Sequence, residues 1–105
     1  MTEIHAGVCG FRTTARASSD DMQNVTLEIN STCEKISAMA ARLGVIDAYQ
    51  EIGAGFDRAV LTAARASLQG CCAGCVVPGG IFKTVQVAGG VALPASISIT
   101  MERKD

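Results

Sequence analysis

The sequence predicts a small α+β domain of order β-β-α-(α)-α-α-β, an antiparallel sheet packed on helices. Three observations predict it. Apolar residues alternate with period two over the first 30 residues and again near the C-terminal end, the signature of half-buried strands. Between Ile36 and Ala88 they recur instead at i, i+3, i+4 and i+7, one face of a helix. Polar or Gly-rich clusters separate these runs. The 105 residues suit one domain, 1–105, and 49% hydrophobic against 18% charged residues suits a packed core.

The first element is extended. Ile4, Ala6 and Val8 alternate, then Phe11, Thr13, Ala15 and Ala17 alternate on the opposite parity. A one-residue phase slip with Gly10 at the slip point reads as a β-bulge, placed beside Cys9. A polar turn, "SSDDMQN", leads to Val25, Leu27 and Ile29, a strand expected to pair antiparallel with the first. Asp20 and Asp21 belong to that turn and are not read as a catalytic carboxylate pair.

Helices follow. Ile36, Met39, Ala40 and Leu43 mark the first, Ser31 and Glu34 have capping-box spacing, and Gly44 is a stop. Cys33 then falls in the first turn, where orphan N–H groups favour a thiolate. "VIDAYQEIG" is a short helix or turn. Phe56, Ala59, Val60 and Ala63 mark a second main helix, ending near Leu68 to Gly70. Pro78 opens a third, with Ile81, Val85 and Ala88 inward, and Gly89 and Gly90 weaken its end by about 1 kcal/mol each relative to Ala. Pro94 stops it, and Ile97, Ile99 and Met101 alternate as a final strand.

Composition removes some function classes. A net charge of -1 with scattered basic residues offers no electrostatic footprint for nucleic acid. No apolar run is expected to span a membrane, and "MTEIHAGVCG" lacks the basic and apolar regions of a signal peptide, so the expected compartment is the cytoplasm. There is no phosphate-binding or nucleophile-elbow motif, and the one histidine, His5, lies on the solvent parity of its strand. Lys83 is expected on a solvated helix face.

The five cysteines carry the chemistry. In a reducing compartment they point to metal ligation or thiol chemistry before disulfides. Cys9, Cys33, Cys72 and Cys75 all fall at element ends, and the sequence proposes them as a four-thiolate site, with Cys71 a substitute for Cys72. Four thiolates suit tetrahedral zinc or an iron–sulfur cluster. A single C-x-x-C, two isolated cysteines and nearby glycines favour the iron–sulfur cluster, with zinc the alternative. Three further readings compete. Cysteines are also ordinary small core residues. The Gly/Ala helix faces could serve a metal-free interaction module or homodimer. "CAGC" could be a redox dithiol, though it follows a helix instead of opening one.

With these motifs in place, the chain resembles an uncharacterised family of short cysteine-containing proteins common in anaerobes. The resemblance rests on "GVCGF" at Gly7–Phe11, "STC" at Ser31–Cys33, "CVVP" at Cys75–Pro78 and "ALP" at Ala92–Pro94. It covers nearly the whole chain and implies a shared fold without an assigned reaction. Val76 departs from the family's Pro, and Cys72 stands where His is common. The chain is more faintly similar to U-type iron–sulfur assembly scaffolds, at Cys9, Cys33 and Cys75, but has Phe11 where they have Asp. Zinc-binding TSCPD-type domains share a similar plan. The cysteine placement is read as that of a small metal-binding protein in electron transfer or cluster delivery, acting with a protein partner; no enzymatic reaction is assigned.

Overall fold

The alternating N-terminal third folds into a hairpin and a third strand, and a fourth strand arrives after the first helix. The computed structural model describes residues 1–103. The strands are β1 (Thr2–His5), β2 (Arg12–Ser18), β3 (Asn24–Ser31) and β4 (Val45–Asp47), in sheet order β1-β2-β3-β4, every pair antiparallel. The helices are α1 (Glu34–Ala40), α2 (Ala48–Ala54), α3 (Ala59–Ser67) and α4 (Val77–Ala88). The class is α+β, in the order β-β-β-α-β-α-α-α.

One sheet face is apolar and the other polar, as period two requires. Ile4, Thr13, Ala15, Val25 and Ile46 are buried under the helices, whose Ile36, Met39, Val60, Ala63, Val77, Ile81 and Val85 complete the core. Glu3, His5, Arg12, Arg16 and Glu28 point to solvent. Burying each core Ile or Val contributes roughly 1.5–3 kcal/mol.

Where sequence and structure differ, the reason is local. The parity change at "VCGF" is not a bulge. Residues 6–11 are a chain reversal, and the two parities belong to β1 and β2, paired as Ile4↔Thr13 and His5↔Arg12. Gly7 and Gly10, at φ 84° and 73°, supply the left-handed conformations the reversal needs. Val8 leaves the alternation altogether and is fully exposed.

"VIDAYQEIG" is two elements. Val45–Asp47 pairs with the start of β3, Val25 opposite Ile46. Asp47 then caps α2, its Oδ1 accepting from the Tyr49 and Gln50 N–H groups at 3.1 and 3.0 Å. Phe56 does not join the face of α3. It is 76% exposed in the turn Gly55–Asp57.

The end of α4 inverts the expectation for its glycines. Gly90, at φ 75°, donates to Val87 O at 3.0 Å, and Val91 N–H reaches back to Gln86 O at 3.0 Å. This is a Schellman cap, so the glycine terminates the helix favourably. The final strand does not form. From Leu93 to Arg103 there is no regular secondary structure, and Ile97, Ile99 and Met101 are exposed. Alternation makes a strand only when a neighbouring backbone accepts its hydrogen bonds, and none does among the described residues.

The placement of α4 sets up the cysteine end of the molecule. Thr84 Oγ1 lies 2.6 Å from Thr2 Oγ1, and a Cβ on Gly80 would come within 2.6 Å of Ile4 Cδ1. The helix therefore runs antiparallel to β1, with its N-terminus toward the β1–β2 reversal. The run Gly70–Ala88 is long and apolar enough by composition to cross a membrane, contrary to the sequence expectation. Within that run Val77, Pro78, Ile81, Thr84 and Val85 are buried in this fold and the other residues are not.

Candidate thiol site

Cys33 sits where β3 becomes α1. Its N–H donates to Ser31 Oγ at 3.1 Å, and Ser31 Oγ also shares a 2.8 Å hydrogen bond with Thr13 Oγ1 on β2. Ser31 is thereby used by the turn, and the capping box with Glu34 does not form. Cys33 itself is the N-cap residue, extended at φ -91° and ψ 122°, its carbonyl accepting from Ser37 N–H at 2.9 Å. Its side chain is half-buried against the core.

Cys72 and Cys75 lie in the segment that joins α3 to α4. Gly70–Gly74 is a 3-10 turn, with the Cys72 N–H donating to Gln69 O at 3.2 Å and the Cys75 N–H to Cys72 O at 3.1 Å. Both side chains are half-buried at the core margin, whereas Cys71 is exposed. The turn thus separates the two adjacent cysteines that spacing left ambiguous, and it is Cys72 that faces the core. Lys35, in the first turn of α1, donates from Nζ to Cys72 Sγ at 3.3 Å. This contact ties α1 to the C-x-x-C segment.

Cys9 ends the 3-10 turn Gly7–Cys9 within the β1–β2 reversal and is exposed. Its Sγ donates weakly to Ala6 O at 3.6 Å. The reversal is held to the Cys33 side by Arg12. The Arg12 N–H donates to Thr32 Oγ1 at 3.0 Å, and the Thr32 N–H to Arg12 O at 3.1 Å. Since the N-terminus of α4 points to the same reversal, Cys9, Cys33, Cys72 and Cys75 all belong to one end of the molecule. They share that end without converging. Among the described residues, no three His, Cys, Asp or Glu side chains form a group that could hold a metal ion.

His5 closes β1 at this same end but on the polar face of the sheet. Its Nε2 lies 3.2 Å from Glu3 Oε1. Lys83 is exposed, as a solvated helix face requires. Lys35 went unread in the sequence, although its place two residues after Cys33 was a usable signal. Only the fold brings Cys72 to it from 37 residues away.

Two carboxylates with perturbed ionisation lie near the other end of the sheet, away from the thiols. Asp21 accepts from the N–H groups of Gln23 and Asn24 at 2.9 and 2.8 Å, from the Asn24 side-chain amide at 2.9 Å and from Ser19 at 3.1 Å. The Gln23 and Asn24 backbone bonds lead in holding its carboxyl far below the usual carboxylate range. Asp47 is lowered too, chiefly by the Gln23 side-chain amide and then by the N–H groups of α2. These are turn and cap carboxylates.

The sequence matches a family of unknown function, DUF6951, over residues 1–101. The chain belongs to DUF6951. The match spans the whole sheet, all four helices and all five cysteines, so the thiol-bearing end lies inside the family's own extent. No curated protein and no solved structure matches the chain.

Proposed function

We propose that the protein binds a metal through cysteine thiolates at this end, most specifically an iron–sulfur cluster held by Cys9, Cys33, Cys72 and Cys75. One observation carries the reading: three separate element junctions deliver these four thiols to one end of the fold. The donor chemistry fits such a group. Cys33, Cys72 and Cys75 are half-buried, which limits water at the sulfurs, and the Lys35 ammonium offsets negative charge at Cys72. Cys9 is the outlying donor, on a reversal whose Gly7 and Gly10 have open space around them. Closing that reversal toward Cys33 is the motion the site requires.

When bound, the cluster supplies one-electron chemistry or is itself passed on as cargo. The chain's own residues hold it, screen it and balance its charge. The corresponding biological role is electron transfer or cluster delivery in the cytoplasm, with a protein partner. A zinc ion on the same thiolates is the structural alternative. A dithiol oxidoreductase is less well supported, because Cys72 and Cys75 span a 3-10 turn and not the first turn of a helix.

Anaerobic purification with iron, zinc and acid-labile sulfide analysis, plus an absorption spectrum, tests the reading. Iron with sulfide is expected, and Cys9→Ser, Cys33→Ser, Cys72→Ser or Cys75→Ser should each lower its retention at least about tenfold. Cys71→Ser should leave it unchanged. Zinc without sulfide would leave only the structural site. A protein that takes up neither metal under anaerobic reconstitution overturns the proposal.

A further inference from the structure

The C-terminal segment has everything a strand needs except a neighbour. Ile97, Ile99 and Met101 alternate with Ser96, Ser98 and Thr100, and no charge interrupts residues 95–101. These three residues are 61%, 65% and 86% exposed, so no described residue covers them. An uncharged, β-branched, alternating segment left in water is a strand seeking an edge.

The sheet offers such an edge. β1 pairs with β2 on one side only. Its Ile4 faces the core while Glu3 and His5 face solvent. A strand added there with Ile97 and Ile99 on the helix side would extend the apolar layer beside Ile4. Ser96, Ser98 and Thr100 would continue the polar face. The opposite edge, β4, is a poorer acceptor, with three residues, and its Asp47 side chain is committed to capping α2.

The direction of α4 decides whose segment fits. Because α4 runs antiparallel to β1, the chain's own segment, turning back after Gly90, would lie parallel to β1. Parallel ladders are slanted and less stable per residue. A twofold-related copy can present the segment antiparallel, and the twofold axis lets each copy donate and accept at once, closing the assembly. The four residues from Val91 to Pro94, which precede the exchanged segment, span up to about 14 Å, a reach that joins molecules in contact.

We infer that the protein forms a strand-exchanged dimer, in which Ala95–Met101 of each copy adds as a fifth strand to the β1 edge of the other. This does not depend on the metal reading.

The test uses the full chain in its metal-free form. Light scattering across a dilution series should give twice the chain mass, falling to one on dilution. Isotope-filtered NOEs in a mixed-label sample should join residues 97–101 of one copy to residues 2–5 of the other. The double variant Ile97→Asp/Ile99→Asp, which touches no core residue, should keep the folded amide spectrum and raise the dimer dissociation constant about 100-fold or more. A monomer at every concentration, a monomer with slowly exchanging amides at 97–101, or a dimer that survives the double variant unchanged would each overturn it.

Discussion

Glu51 is an acidic side chain taken out of water, 1% exposed. Its Oε1 accepts from the Val60 N–H at 2.6 Å and its Oε2 from the Ala59 N–H at 3.2 Å. These are orphan donors of the first turn of α3, whose N-cap residue Arg58 gives no side-chain cap. A carboxylate eight residues upstream thus caps a helix that has no local cap. Glu51→Ala should cost about 2 kcal/mol, because it leaves buried donors unpaired. Glu51→Gln keeps one acceptor and should cost less. Urea unfolding midpoints measure both. Asp21 and Asp47 make a second residue-scale case. Both are held below their unfolded pKa, so their contribution to stability is present above about pH 3.8 and is lost as pH falls through the lowered folded values. Unfolding midpoints should fall on acidification below pH 4, and Asp21→Asn should flatten that acid limb. By carboxyl-carbon NMR, Asp21 should remain ionised to a pH well below the usual carboxylate range.

At the scale of elements, α4 shows how glycine position decides its sign. Gly90 sits at φ 75°, and a Cβ there would also meet Met22 Sδ at 3.1 Å. Gly90→Ala should destabilise by about 1–2 kcal/mol. Gly79, in the same helix, has ordinary helical backbone and open space where a Cβ would go. Gly79→Ala should stabilise by about 0.5 kcal/mol. Thermal melts of the two variants should shift in opposite directions. The same scale explains what was legible in the sequence. The inward sets Ile36 and Met39, Val60 and Ala63, and Ile81 and Val85 follow directly from the period of a helix and are buried. Three features were not legible. The β1–β2 reversal imitates a bulge because a parity change and a chain reversal produce the same alternation. β4 is three residues long, too short for a period to register. Ser31 has capping-box spacing, but Thr13 and Cys33 claim its hydroxyl first.

At the scale of the molecule, α4 runs antiparallel to β1, which sends the element junctions bearing Cys9, Cys33, Cys72 and Cys75 to one end and the C-terminal segment away from the other. Cluster or metal loading should therefore register first in the β1–β2 reversal, the outlying part of the site. Amide exchange at residues 7–11 should slow at least about tenfold on anaerobic loading, while β3, already central in the sheet, should change little. Loading should also raise the melting temperature, since a ligand that binds only the native state stabilises it by mass action. Equal exchange at residues 7–11 with and without metal would mean that Cys9 is not a ligand.

The sequence by itself determined the fold class, the helix faces and the confinement of cysteines to element ends, because each is a property of spacing along the chain. Only the tertiary structure decided that Cys72 and not Cys71 faces the core, that Lys35 meets it, that Glu51 caps α3, and that Ile97, Ile99 and Met101 are left without a partner. Each of these turns on which distant backbone lies alongside, and local period carries no information about that.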